Sequence, residues 1–234
     1  MIKYLAVIVK VMLIQFLLWG LVCCESIDST SLKPDIPVYQ DYYVVYNKTQ
    51  NITEVKATFR ESGVTGVRIT LSGDSRVRFN GEAEKEYSTL SHYFYSWKTN
   101  GFKDVDVVYT KNAGAHFDHT FLVQFVPVVN FVNGFSSLYL DGENVFTWQG
   151  GAIDTGESIW LTITQNEITT LYSVSTRGAV SLKIAKLKED GLVKGPAKIK
   201  LLRKHLFNSL EASDDEVGGQ VTYGTVIEKD IIIQ

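Results

Sequence analysis

From Tyr39 onward, apolar and polar residues alternate with a period of two. Val55, Ala57 and Phe59 alternate with Glu54, Lys56, Thr58 and Arg60. Val67, Ile69 and Leu71 alternate with Arg68 and Thr70, and Val77 and Phe79 with Arg76 and Arg78. Val105, Val107 and Tyr109 alternate with Asp104 and Asp106. A strand sends successive side chains to opposite faces, so this pattern predicts half-buried antiparallel strands. Turn residues separate the runs at Ser72-Gly73-Asp74, Asn80-Gly81 and Asn100-Gly101. Residues 121–132 form a nearly continuous apolar stretch around Pro127, which cannot sit in a central strand. Beyond it, strands are expected at 145–148, 159–163, 171–176, 180–184, 197–202 and 226–233. Residues 184–192 are the one helix candidate, and Gly191 limits them to a turn or a single helical turn.

Closely spaced strands, almost no helix and frequent glycine turns predict an all-β protein. The expected architecture is two antiparallel immunoglobulin-like β-sandwiches in tandem, over residues 36–125 and 126–234. Residues 24–35 are polar and aperiodic and end near Pro34, so they read as a tether.

The amino terminus differs from the rest. Lys3 and Lys10 precede residues 11–22, which are apolar apart from Gln15 and Gly20. That length suits a secretory signal and falls short of the roughly 20 residues needed to span a bilayer. Cys23 and Cys24 follow and are the only cysteines. Adjacent cysteines bridge poorly, so neither a disulfide framework nor a Cys-based zinc site is available. Leu21-Val22-Cys23-Cys24 resembles the box of a bacterial lipoprotein signal, which is cut before a cysteine that is then lipidated. The resemblance implies cleavage after residue 23 and acylation of Cys24, although Cys23 stands where Gly, Ala or Ser is usual. Modification at Cys23 fits the box less well. Two acyl chains, palmitate among them, would anchor the protein stably, each buried CH2 contributing about 0.8 kcal/mol.

Composition narrows the function. The 234 residues are 45% hydrophobic with a net charge of −3, which excludes a disordered chain and supplies no basic field for nucleic acid. Removing the leader removes Lys3 and Lys10 and leaves the remainder more acidic.

Two groups of residues carry a wider resemblance. The first is Asp41-Tyr42-Tyr43-Val44-Val45-Tyr46, Ala57-Thr58-Phe59-Arg60, Gly66-Val67-Arg68-Ile69-Thr70-Leu71 and Val77-Arg78-Phe79-Asn80-Gly81. The second is Phe146-Thr147-Trp148-Gln149-Gly150, Gly156-Glu157-Ser158-Ile159-Trp160-Leu161 and Gly218-Gly219-Gln220. Together they resemble exported lipoproteins of Bacteroidota with tandem immunoglobulin-like domains. The resemblance implies an outer-membrane or surface location in a bacterial envelope and carries over no catalytic residue. The basic stretch at residues 198–204 departs from the group.

Candidate chemistry is sparse. The run His92-Tyr93-Phe94-Tyr95-Ser96-Trp97 places Tyr93, Tyr95 and Trp97 on one strand face, where stacked rings could hold sugar rings. Ordinary core packing is the competing reading. His116-Phe117-Asp118-His119 follows a hairpin tip at residues 111–115 and reads as exposed loop histidines rather than a metal site. Asp214-Asp215-Glu216 and Asp141-Gly142-Glu143-Asn144 read as solvated turns, since neither has calcium-loop spacing. The sequons at Asn47 and Asn51 are turn residues in a bacterial protein. No Gly-x-Ser-x-Gly, Walker or dinucleotide fingerprint occurs. The expectation is a non-enzymatic, lipid-anchored envelope protein without cofactor or metal. Its partners would be the membrane, through Cys24, and an envelope protein or a glycan. The alternative is a surface carbohydrate-binding module using Tyr93, Tyr95 and Trp97.

Overall fold

The computed structural model describes residues 26–83, 85–89, 92–112, 114–210, 212–214 and 217–234, without the side chains of 85–89 and 92–94. The leader, Cys23, Cys24, Asp215, Glu216 and the Tyr93 side chain lie outside the described residues.

The alternating runs become strands. β1 (Ser26–Asp28) leads through a 3-10 turn (Ser29–Ser31) to β2 (Val38–Asn47) and β3 (Ile52–Glu61). Short strands follow: β4 (Arg68–Thr70), β5 (Arg76–Phe79), β6 (Glu82–Ala83) and β7 (Lys85–Thr89). β8 (His92–Asn100), β9 (Val105–Thr110) and β10 (His116–Phe121) come next. A second 3-10 turn (Val123–Phe125) precedes β11 (Asn130–Phe131), β12 (Ser137–Leu138) and β13 (Asn144–Gln149). β14 (Glu157–Gln165), β15 (Ile168–Val174) and β16 (Ser181–Ile184) lead to two long strands, β17 (Gly195–Phe207) and β18 (Gly219–Ile233). The described chain contains no α-helix; of the helix candidate at 184–192, Ile184 ends β16 and residues 187–192 form a turn closed by Leu192 N–H on the Leu187 carbonyl at 3.0 Å.

The protein is an all-β assembly of packed sheets. The large sheet runs β1-β4-β3-β2-β18-β17-β14-β15. Two smaller sheets are ordered β10-β9-β5-β6 and β11-β13-β16. The expected turns form where their residues demand: Asn80 and Gly81 both take positive φ, 49° and 80°, as a type I′ hairpin requires. Asn47 and Asn51 sit at the β2–β3 turn, and their side-chain oxygens accept from Gln50 N–H and the Tyr46 hydroxyl.

Two departures from the expected pattern are informative. Among the described residues three pairings are parallel, β1 with β4, β12 with β18, and β18 with β2 over Gly219–Val226. Alternation within a run is blind to strand direction, which is set by how the chain returns from far away. Residues 26–31, inside the stretch read as a tether, are docked on the body. β1 pairs with β4, and the buried Ser29 hydroxyl donates to the Ser72 carbonyl at 3.1 Å.

β17 and β18 pair from Gly195–Ile233 through Phe207–Val221. Their odd-numbered residues share one face. Along that face the apolar side chains fall into two buried clusters. Val221, Tyr223 and Phe207 pack with Tyr42, Phe59 and Tyr109. Ile199, Leu201 and Ile231 pack with Ile159, Leu161 and Phe146. Arg203 lies on the same face between the two groups.

Because one hairpin serves both clusters, damage to either should weaken a single cooperative unit. Phe59→Ala is expected to lose about 3–5 kcal/mol and Leu161→Ala about 2–5 kcal/mol. Urea unfolding followed by tryptophan fluorescence should show one transition in each variant, moved to lower denaturant. Two separate transitions would mean that the hairpin does not couple the clusters.

Candidate functional site

The chain between β10 and β11 crosses the β17–β18 hairpin and leaves a cleft above it. The 3-10 turn at Val123–Phe125 is capped by Val123 N–H on Asp104 Oδ1 at 2.7 Å. It lifts Phe125 to the surface, 45% exposed. The Phe125 ring meets Phe207 at 5.9 Å and 62°, and Tyr223 at 5.9 Å and 51°. Phe207 and Tyr223 are perpendicular at 5.6 Å, and His205 lies against Phe207 at 4.1 Å. The Phe125–Phe207 and Phe207–Tyr223 pairs are favourable edge-to-face geometries, and the other two are tilted.

Phe125 and Phe207 border two hollows. One, of about 180 Å³, lies toward His119, Phe121, Leu210 and Val221. The other, of about 560 Å³, lies toward Pro127, Val128, Gly150, Glu157 and Arg203. The second falls within the usual size range of small-ligand sites, and the first is large enough only for a single ring-sized group.

Arg203 forms the floor of the larger hollow. Its Nη1 donates to the Gly150 carbonyl at 2.5 Å and to Val128 at 3.2 Å. Its Nη2 donates to Ala152 at 2.8 Å and to Glu157 Oε2 at 2.5 Å. The Arg203 and Glu157 side chains are only 6% and 8% exposed. Glu157 Oε2 also accepts from Asp154 N–H at 2.8 Å. The carbonyls converge because Gly150 has φ +127° and a Cβ there would lie 2.1 Å from the Val128 oxygen. One buried cation thus ties the crossing segment and the β13–β14 loop to β17, and Glu157 cancels its charge. Arg203 Nε has no partner among the described residues.

His119 closes the smaller hollow. The expectation of exposed loop histidines needs correction: His116–Phe121 is a strand, with His116 outward and His119 buried. His119 stacks on Phe121 at 5.7 Å and 6°. Its Nε2 lies 3.1 Å from Gln40 Oε1, which also accepts from the Tyr42 hydroxyl at 2.8 Å. Burial pushes its pKa down to about 4, with Asp118 opposing, so the ring is neutral at pH 7.

The acidic run at 214 also departs from its solvated-turn reading. Asp214 is buried, 2.7 Å from Lys111 Nζ, and accepts from Val38 N–H at 2.8 Å. The other acidic turn matches expectation at Asp141 and Glu143, which are exposed and pair with Lys188 and Lys183. Its Asn144 is buried and bridges Tyr139 N–H and carbonyl.

The aromatic strand reads differently in three dimensions. Tyr95 is 3% exposed, packs on Phe59 at 5.9 Å, and its hydroxyl accepts from Leu71 N–H. Trp97 is half-buried, stacks on Phe79 at 6.4 Å, and donates from Nε1 to Glu82 Oε2 at 2.8 Å. Neither ring joins the cleft. Among the described residues, no three His, Cys, Asp or Glu side chains converge as a metal site would require.

Arg203→Met should cost about 3–5 kcal/mol of unfolding free energy, since it strands Glu157 and a set of carbonyls. Adding Glu157→Leu should recover part of that loss, because the orphaned carboxylate disappears. A loss under about 1 kcal/mol for Arg203→Met would show that the pair does not hold the crossing segment. His119 sets a pH dependence. Its folded pKa is about 4, against the ordinary histidine value of 6.5. The unfolded chain therefore binds the extra proton between those values, and stability falls as pH drops from 6.5 toward 4, by roughly 3 kcal/mol. Urea midpoints at pH 7 and pH 4 should differ less in His119→Gln than in the natural protein.

No family model matches this chain, and no curated protein matches it. Among solved structures, one similar chain is the Bacteroides ovatus mixed-linkage glucan utilization locus SGBP-B, in complex with a mixed-linkage heptasaccharide. It is 10% identical with a TM-score of 0.21, and the match covers 82% of this chain and 60% of that one. A second is a Ca2+-stabilized adhesin by which an Antarctic bacterium binds ice, 14% identical with a TM-score of 0.22, covering 80% of this chain and 47% of that one. The chain therefore spans less than two thirds of either protein, and a likeness this weak says nothing about function.

Proposed function

We propose that this chain is a non-enzymatic binding protein of a bacterial cell surface, anchored in the outer membrane through lipid on Cys24, with the Phe125–Phe207 cleft as its ligand surface. One observation carries the binding role: Phe125 stands 45% exposed between two hollows, on the buried ring of Tyr223 and the partly buried ring of Phe207. With the exposed Val128 on the same hollow it makes an apolar patch of the kind that a partner covers. Holding suits the cleft better than reacting, because Glu157 is locked to Arg203. The leader and the Leu21-Val22-Cys23-Cys24 box support export and anchoring. Since β1 begins at Ser26, only Glu25 would separate the acylated residue from the folded sheet. The body would then sit directly on the membrane. If a sugar is the ligand, the cleft is a better platform than the strand of Tyr93, Tyr95 and Trp97, since Tyr95 is turned into the core.

Metabolic labelling with an alkyne palmitate tests the anchor. The natural protein and Cys23→Ser should take up label and fractionate with membranes. Cys24→Ser should lose both. Label that persists in Cys24→Ser would end the proposed anchor.

A further inference from the structure

We infer that the cleft binds an uncharged oligosaccharide laid across Phe125, with at least one sugar ring on each side of it. This rests on the binding role proposed above and names its ligand. The charge of the cleft comes first. In the larger hollow the ionic groups Arg203 and Glu157 cancel each other at 2.5 Å, and the guanidinium is further spent on backbone carbonyls. In the smaller hollow His119 is buried in contact with Gln40. Among the described residues, no lining Lys or Arg is left over for a carboxylate or phosphate, so an acidic ligand would lose hydration without gaining such a partner.

The shape comes second. Two hollows of about 180 and 560 Å³ share Phe125 and Phe207 as walls, which suits a ligand made of repeated ring-sized units. The chemistry comes third. Rings stand beside short polar groups: Thr120 and Ser209 in one hollow, Gln124 and His205 in the other. A pyranose has apolar C–H faces for the rings and hydroxyl edges for those donors and acceptors. An extended peptide is the competing occupant, and it would bind by adding a strand to an open edge. β17 and β18, which floor the cleft, are paired on both sides, to β14 and to β2. Of the open edges close by, that of β10 borders only the smaller hollow, and β11, which follows Val128, is two residues long.

Calorimetry on the full-length protein in detergent tests this with cellohexaose, xylohexaose and mannohexaose, and with hexagalacturonate as the charged counterpart. At least one neutral hexamer should bind, and hexagalacturonate should bind at least tenfold more weakly. Phe125→Ala should weaken the neutral ligand at least tenfold, Phe125→Trp should retain it, and Trp97→Ala should leave it unchanged. Phe125 is a surface residue, and matched urea midpoints would confirm that its variants fold. No binding by any neutral hexamer would overturn the inference, as would equal affinity in Phe125→Ala or tighter binding of hexagalacturonate. Binding of a Leu-rich decapeptide that protects the β10 amides from hydrogen exchange, without sugar binding, would also overturn it in favour of a peptide. Palmitate labelling involves no sugar, so a failed anchor and a failed ligand are told apart.

Discussion

The β17–β18 hairpin is the constraint on which the rest of the structure depends. Its inward face carries the apolar residues of both buried clusters, and the smaller sheets are positioned by packing against it. Between the clusters the face is occupied by Arg203 rather than a hydrophobe. A buried guanidinium is tolerable only when nearly every N–H has an acceptor, and here the acceptors come from two separate stretches of backbone and from Glu157. The charge that interrupts the apolar face therefore also dictates where the crossing segment and the β13–β14 loop must lie.

The cleft follows from that placement. With the carbonyls of Val128 and Gly150 drawn onto Arg203, the chain before them passes over the hairpin, and its 3-10 turn raises Phe125 beside Phe207 and Tyr223. On the other flank, β10 brings His119 and Phe121 to the same wall. A polar interaction made for packing thus leaves an aromatic surface with a neutral floor. Lys111 and Asp214 play a similar part at the edge, fastening the loop after β17 to the end of β9 and to β2.

Much of the fold was legible in the letters. Val55-x-Ala57-x-Phe59 and Val105-x-Val107-x-Tyr109 appear as β3 and β9 with alternate burial, and Asn80-Gly81 turns the chain as its positive φ values require. The cleft was less legible. Phe117, His119 and Phe121 keep a period of two with His116, Asp118 and Thr120, so the strand was written there. The two histidines hid it, because imidazole is as often exposed as buried. Likewise Ile199, Leu201 and Arg203 continue one face, which could have marked Arg203 as buried. Nothing local marked Asp214 for burial, since its partner is 103 residues away.

Composition and periodicity alone determined that this chain is all-β and where its hairpins turn. Those properties rest on interactions between near neighbours, whose spacing the sequence writes directly. Tertiary structure decided the parallel return of β18 onto β2, the inward turn of Tyr95, the burial of His119 and the meeting of Phe125 with Phe207. Each depends on which distant segment supplies the opposing surface or the compensating hydrogen bond. That is a matter of chain closure over many residues, and no local pattern encodes it.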